Sequence, residues 1–323
     1  MKKLSLVVVA CMLSITSATA QKRTALSAEV YGYKQDMNYF DCVQTPTIAA
    51  EFHNNPGEEH HYNFTTNLSP ILIRINGRTE ALMKSGDSLY VVVKREDKNV
   101  TATYAGTPSA VEANKLRQEI ADIRRRLRYK TQLLACVAVG VKPTERIEGA
   151  KELLKQAQEA EQKYKGKADQ ELLDYIKAEQ EASAYMSYME YPVMFASVRK
   201  QSIAEQGIGD YWSIMDGITL RDDNAAMSCP EYASFLMRYC FYQNEKKAVK
   251  ANVQYETPKT LESMFATLKE FYQGKQRDLT LYTLLTNFIR NGKEIERAIP
   301  LYEEYKAMNL NKNYLAVLDH LLQ

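Results

Sequence analysis

The chain has 323 residues, 45% hydrophobic and 25% charged, with 42 Lys and Arg against 40 Asp and Glu. This is globular composition, long enough for about two domains, and it excludes a low-complexity or fibrous chain. A balance this even gives no reason to expect nucleic acid or an anionic membrane as partner.

Residues 1–20 stand apart from the rest. Lys2 and Lys3 precede a short apolar core over residues 4–13, and Ala18-Thr19-Ala20 is a small-residue cleavage site before Gln21. The order is that of a secretory signal peptide, too short for a membrane span. A lipoprotein-type cleavage at Cys11 is the alternative; cleavage after Ala20 is the expectation. Cleavage there removes two lysines and one of five cysteines, leaving a formally neutral chain with Cys42, Cys136, Cys229 and Cys240. Export permits disulfides, but there is no Cys-x-x-Cys, and buried thiols are an equal alternative. No later apolar run reaches membrane length.

Residues 21–107 read as β-rich. Strands are expected over 27–33 and 47–53, with Asn54-Asn55-Pro56-Gly57 turning into a hairpin partner over 59–66. Ile71, Ile73 and Ile75 alternate into Asn76-Gly77, a strong hairpin signal, and 81–84 returns. Ser85-Gly86-Asp87 turns into a strand over 89–94, expected to pair next, and 100–104 closes the series. Short strands at this spacing indicate an antiparallel sandwich or small barrel.

The period changes at Gly106-Thr107-Pro108-Ser109. Leu116, Ile120, Ile123 and Leu127 follow helical spacing, and Ser109 with Glu112 is a capping-box pattern. Residues 108–323 read as an α-helical domain. Helices are expected over 110–129, with continuation into the 133–139 run as an alternative, then over 145–165 and from a cap at Asp169 to about 189, before Tyr191-Pro192. A looser, Gly- and Asp-rich stretch spans 205–227. Further helices begin near Ser228, Thr257-Pro258 and Asp278, the last ending at Asn291-Gly292, and two more run over 294–308 and 314–322. The fold class is therefore α+β: an N-terminal β sandwich or barrel, then an all-α domain.

Four features combine at this point: the leader, the Ser85-Gly86-Asp87-Ser88-Leu89 turn and strand, the step from Gly106 to Asn114, and the long α region. Together they resemble the front of Bacteroidetes envelope thioredoxin-like proteins, which are similar to the TlpA and ResA disulfide reductases. Pro230 to Tyr239 and the Leu301-Tyr302-Glu303-Glu304-Tyr305 region resemble that family's helical segment. The resemblance implies a periplasmic or envelope location in a Gram-negative bacterium and a role accessory to a thioredoxin domain. The family's Trp-Cys-x-x-Cys site is missing: the single tryptophan, Trp212, precedes Ser213. No catalytic residue and no disulfide-exchange chemistry carries over.

Several clusters could carry chemistry. His53, Glu58, Glu59, His60 and His61 are metal-ligand types, but His60 and His61 are adjacent on a strand and point to opposite faces, so a solvated hairpin tip is expected. Arg124, Arg125, Arg126, Arg128 and Lys130 form a basic run, expected as a solvated helix face, with a lipid or partner patch as alternative. Tyr185, Met186, Tyr188, Met189 and Tyr191 make a stripe that is either a core seam or a glycan- or peptide-binding face. The segment from Asp210, Tyr211 and Trp212 through Asp216 to Asp222 and Asp223 joins the lone tryptophan to carboxylates in a Gly-punctuated loop. It is the candidate ligand-binding surface; the alternative is that its acids make turns and Trp212 plugs the core.

No catalytic triad, phosphate loop or metal motif is present, and four histidines leave little material for histidine catalysis. No cofactor is expected. The expected function is a non-catalytic exported envelope protein that binds an envelope protein, a peptide or a glycan. One alternative is a recognition or dimerisation part of a thiol–disulfide system whose thioredoxin domain is not in this chain. Another is a hydrolase using Asp210, Asp216 or Asp222. Cys229 and Cys240 are expected unbonded, because eleven helical positions span about 16 Å. Cys229, at a helix start, is expected to be the more reactive thiol.

Overall fold

The computed structural model describes residues 22–127, 133–308 and 311–323. The expected leader, Cys11, Arg128 and Lys130 lie outside them. Eight strands come first: β1 Arg23–Tyr31, β2 Met37–Cys42, β3 Ala49–His53, β4 Glu59–Thr65, β5 Ile71–Ile75, β6 Thr79–Met83, β7 Ser88–Glu96 and β8 Asn99–Gly106. They form two four-stranded sheets, ordered β4-β1-β7-β8 and β3-β2-β5-β6. Every pairing is antiparallel except β1 with β7, which is parallel. The α+β architecture is as the sequence indicates.

The pairings differ from the expected meander. The turn at 54–57 joins β3 to β4, yet these strands lie in different sheets: β3 pairs with β2, and β4 with β1. Likewise β7 leaves β6 behind and inserts between β1 and β8. The reason is burial. Leu26, Ala28 and Val30 of β1 and Leu89, Val91 and Val93 of β7 are all fully buried on one face. They oppose the buried face of the second sheet, with Phe40, Ile71, Ile73 and Ile75. A turn signal fixes where the chain reverses, not which strand receives it. The β5–β6 hairpin at Asn76-Gly77 forms as expected.

Strands β5 and β6 are buried on both faces. Ile71, Ile73 and Ile75 face the other sheet, while Leu72 and Leu82, each 0% exposed and paired to one another, face the helices. The second sheet is thus the middle layer between the first sheet and the helical part.

Ten α-helices follow among the described residues: α1 Pro108–Arg126, α2 Leu133–Ala138, α3 Pro143–Gln162, α4 Gln170–Arg199, α5 Asn224–Met227, α6 Pro230–Lys250, α7 Leu261–Phe271, α8 Gly274–Arg290, α9 Ala298–Ala307 and α10 Lys312–Leu321. Pro108 is the first helical residue of α1, where its missing N–H costs nothing. Ser109 does not cap: its Oγ instead accepts from the Asp169 backbone N–H at 2.7 Å, tying the start of α4 to the start of α1. The seam is pinned to β7, as Thr107 N–H donates to Ser88 O at 2.8 Å and Ser88 N–H to Thr107 Oγ1 at 3.0 Å.

Asp169 caps α4 as expected, but the helix runs on through Pro192 to Arg199. The proline forfeits one hydrogen bond, and the buried Tyr188, Met189, Tyr191 and Phe195 around it hold the helix together. This puts most of the tyrosine–methionine stripe in the core. The next helix starts after a Thr260–Ser263 capping box rather than at Thr257-Pro258. Asp278 does not start α8: it lies inside it, buried, accepting from Tyr305 Oη and from the Asn311 backbone N–H at 2.8 Å. By residue type it reads as a cap; in the fold it is a buried acceptor shared by Tyr305 of α9 and Asn311, the cap of α10.

Candidate functional site

The junction between sheet and helices is built from the β5–β6 hairpin. Its turn places Arg74 opposite Glu80 and Leu72 opposite Leu82, all on the helix-facing side. Asn114 of α1, 1% exposed, satisfies the free edge of β6: Leu82 N–H donates to Asn114 Oδ1 at 2.9 Å, and Asn114 Nδ2 donates to Leu82 O at 2.7 Å. One carboxamide here stands in for a neighbouring strand.

One turn further along α1, Arg117 bridges the two halves of the molecule. Its Nη2 lies 2.6 Å from Glu80 Oε2 and 2.7 Å from Glu179 Oε1 of α4. Arg74 Nε completes the chain at 3.0 Å from Glu80 Oε1. Burial works against the charges of Arg74, Glu80 and Arg117. For Glu80 the two arginines outweigh it and hold the carboxyl below its usual range. For Arg117 the two glutamates do the same, holding the guanidinium firmly charged.

Glu231, in the first turn of α6, stands beside this chain and forms no ion pair among the described residues. Burial, then the charge of Glu179, pushes its carboxyl upward. Cys229 Sγ lies 3.5 Å from Glu231 Oε2. Burial, then the negative charges of Glu231 and Glu179, drives that thiol well above its usual range. The expectation that a helix start would activate Cys229 is therefore corrected: the dipole effect is small beside desolvation next to two carboxylates. Cys42, Cys136, Cys229 and Cys240 are all buried and in no disulfide, with Cys229 capping α6 and Cys240 eleven positions further along it.

Two clefts open on either side of Glu231 and Ser183. The first, about 440 Å³, is mainly apolar; Leu68, Met186, Met227, Leu279, Tyr282 and Tyr314 supply its body. Tyr282 and Tyr314 stack at 4.1 Å with planes 9° apart, making a flat wall. Both hydroxyls are tied down, Tyr282 Oη donating to Gln44 O and Tyr314 Oη to Met227 O, each at 3.0 Å. Arg74, Glu231, Asn287 and Arg290 are among the polar groups that line it. The second cleft, about 680 Å³, is polar, with Glu80, Arg117, Glu179 and Arg124 on its walls.

The loop residues singled out in the sequence lie elsewhere, strung along α6. Tyr211 is buried, its Oη donating to Met189 O at 2.7 Å, and it receives a hydrogen bond at its carbonyl from Tyr242 Oη at 2.7 Å. Trp212 is half-buried against the Tyr211 and Tyr242 rings. Asp210 caps the short 3-10 turn that carries both. Asp216 pairs with Lys246. Asp223 caps α5 and pairs with Arg221 at 2.7 Å, while Asp222 is exposed. Arg221 N–H donates to Tyr232 Oη, so this end of the loop sits about 20 Å along α6 from Lys246. The six residues therefore form two separate groups, neither lining the first cleft.

His60 is buried beside Asn38 and His61 is exposed, on opposite faces as expected. No cluster of metal-ligating side chains occurs among the described residues, and no helix among them is long and apolar enough to cross a membrane. The Asn76-Gly77 turn sets Arg74 opposite Glu80, so this pair follows from the hairpin register. Nothing in the sequence pointed to Arg117, Glu179 or Glu231. No family model, curated protein or solved structure matches this chain.

Proposed function

We propose that this is a non-catalytic exported envelope protein that binds an apolar or aromatic group of a ligand or partner peptide in the cleft between its β and α parts. The observation that carries the reading is a cleft of about 440 Å³ whose lining includes Leu68, Met186, Leu279 and the stacked pair Tyr282 and Tyr314. That volume is in the range of small-ligand and peptide side-chain pockets, apolar with a few polar groups at the rim. The hydroxyls of Tyr282 and Tyr314 are already spent on backbone carbonyls, so these side chains offer the cleft apolar ring carbon. Location in the envelope is supported by the order of residues 1–20. The relationship to thioredoxin-like envelope proteins is supported by the step from Gly106 to Asn114.

The test uses a cleft-filling variant, Thr283→Trp, on the half-buried face of α8 that lines the cleft. Wild-type and variant chains are incubated with envelope extract and recovered for native mass spectrometry. A bound species on the wild type, lost on the variant at unchanged thermal stability, supports the proposal. A species retained equally by both places the binding elsewhere and sinks it.

A further inference from the structure

We infer that a third cleft, where the edge strand β4 meets α10, is a binding site for an uncharged sugar. The cleft measures about 320 Å³, at the lower end of the range for small-ligand pockets. Two periodicities build its lining. On β4, Tyr62 and Phe64 alternate onto the face opposite His61 and Asn63. Both are half-buried, and their rings stack at 4.9 Å with planes 28° apart. On α10, Asn313, Ala316 and Val317 line the cleft at helical spacings of three and four. Leu68, Tyr282 and Tyr314 belong to the lining of this cleft and of the first, so the two adjoin.

No Asp, Glu, Lys, Arg or His lines this cleft, whereas both of the others carry arginine and glutamate. His61 and Lys312, which adjoin the lining in sequence, are exposed and no part of it. Its polar groups are hydroxyls and carboxamides, and some are already committed. Thr45 and Thr47 bond to each other through their Oγ1 atoms at 2.9 Å, and Thr66 Oγ1 accepts from Leu68 N–H at 3.0 Å. The side chains of Thr65, Asn67 and Asn313 are not committed: none of them forms a hydrogen bond among the described residues. Thr65 and Asn67 are exposed, and Asn313 is half-buried.

This lining selects against two kinds of ligand. A charged group would leave water and meet no opposite charge. A wholly apolar one would cover Thr65, Asn67 and Asn313 and leave their polar atoms unsatisfied. A sugar meets both conditions. Its hydroxyls donate and accept, as the threonine hydroxyl and the two carboxamides do. Vicinal hydroxyls can engage the oxygen and the nitrogen of one carboxamide together, which a peptide bringing single polar groups does less readily. The C–H face of the sugar ring packs on aromatic carbon, supplied here by Tyr62, Phe64, Tyr282 and Tyr314.

The fluorescently labelled chain beginning at Gln21 is applied to an array of oligosaccharides. Neutral glucose, mannose, galactose and N-acetylglucosamine oligomers stand beside sulfated and uronic-acid oligomers. Retention on a subset of the neutral oligomers, and not on the charged ones, is expected. Calorimetry with a retained oligomer then compares variants. Asn67→Ala with Asn313→Ala should weaken binding about tenfold at unchanged thermal stability, because it removes the two free carboxamides. Ala316→Trp, at an exposed position that lines the cleft, should abolish binding by filling it, and it keeps the test open if the double variant misfolds. No retained oligomer, a preference for the charged oligomers, or variants that bind like wild type overturns the inference. So does a peptide array that retains the chain through Asn67 and Asn313 when no oligosaccharide does, since the cleft would then belong to a peptide.

Discussion

Replacing Asn114 by leucine tests how the two halves of the molecule are joined. The two side chains are close in size, so the change leaves little cavity. It removes three hydrogen bonds, of 2.9 Å from Leu82 N–H, 2.7 Å to Leu82 O and 2.8 Å to Ala110 O. The Ala110 carbonyl keeps its helical partner. The Leu82 N–H and C=O do not: Leu82 is 0% exposed, on the edge strand of its sheet, and water cannot replace the carboxamide. An orphaned buried backbone group costs about 1–3 kcal/mol, so two cost about 2–6 kcal/mol. Burying the leucine methyls returns about 1–2 kcal/mol. The net is a loss of about 3 kcal/mol, a large part of the stability of a typical domain. Urea unfolding followed by circular dichroism measures it, and hydrogen exchange at the Leu82 amide localises it. An Asn114→Leu protein within about 0.5 kcal/mol of wild type, with Leu82 still protected, would show that β6 does not depend on this carboxamide.

Gly106→Ala should be far more damaging than Gly77→Ala by thermal denaturation. Both glycines have positive φ, but a Cβ at Gly106 would meet Ser88 O at 2.2 Å whereas Gly77 has nothing within 4 Å; equal losses would discount the steric argument. Glu231 has a folded-state pKa raised above 4.5, so the folded chain binds more protons than the unfolded one, and stability falls as pH climbs from about 4.5 through the raised value. Glu231→Gln removes that penalty: urea midpoints should favour the variant at pH 8 and converge with wild type near pH 4, and a gap independent of pH would refute the assignment. Native alkylation at pH 8 should leave Cys42, Cys136, Cys229 and Cys240 unmodified until urea is added, since burial shields all four and pushes the thiols of Cys42 to about 11 and Cys240 to about 12; fast labelling of Cys229 would show that its surroundings open readily.

Local chemistry settled much of this chain in advance. Alternation in Ile71, Ile73 and Ile75 with the Asn76-Gly77 turn defined the β5–β6 hairpin and, through it, the cross-strand Arg74–Glu80 pair. Helical spacing at Leu116, Ile120 and Ile123 gave α1, and Asp169 gave the start of α4. These are interactions within a few residues, and the sequence displays them directly. Decisions between distant segments were of another kind. The same turn at 54–57 is compatible with a hairpin or with a crossing between sheets, and only the pooled burial of both sheets selects the second. Pro192 would end an isolated helix, but the packing of Tyr191 and Phe195 carries α4 past it. Asp278 has the residue type of a cap and the position of a buried acceptor. Arg117 meets Glu80 and Glu179 from residues 37 and 62 positions away, and Glu231 is raised by burial and then by the charge of Glu179, which is far from it in sequence. A carboxylate's neighbours are set by the tertiary fold, because desolvation and charge act through space and not along the chain.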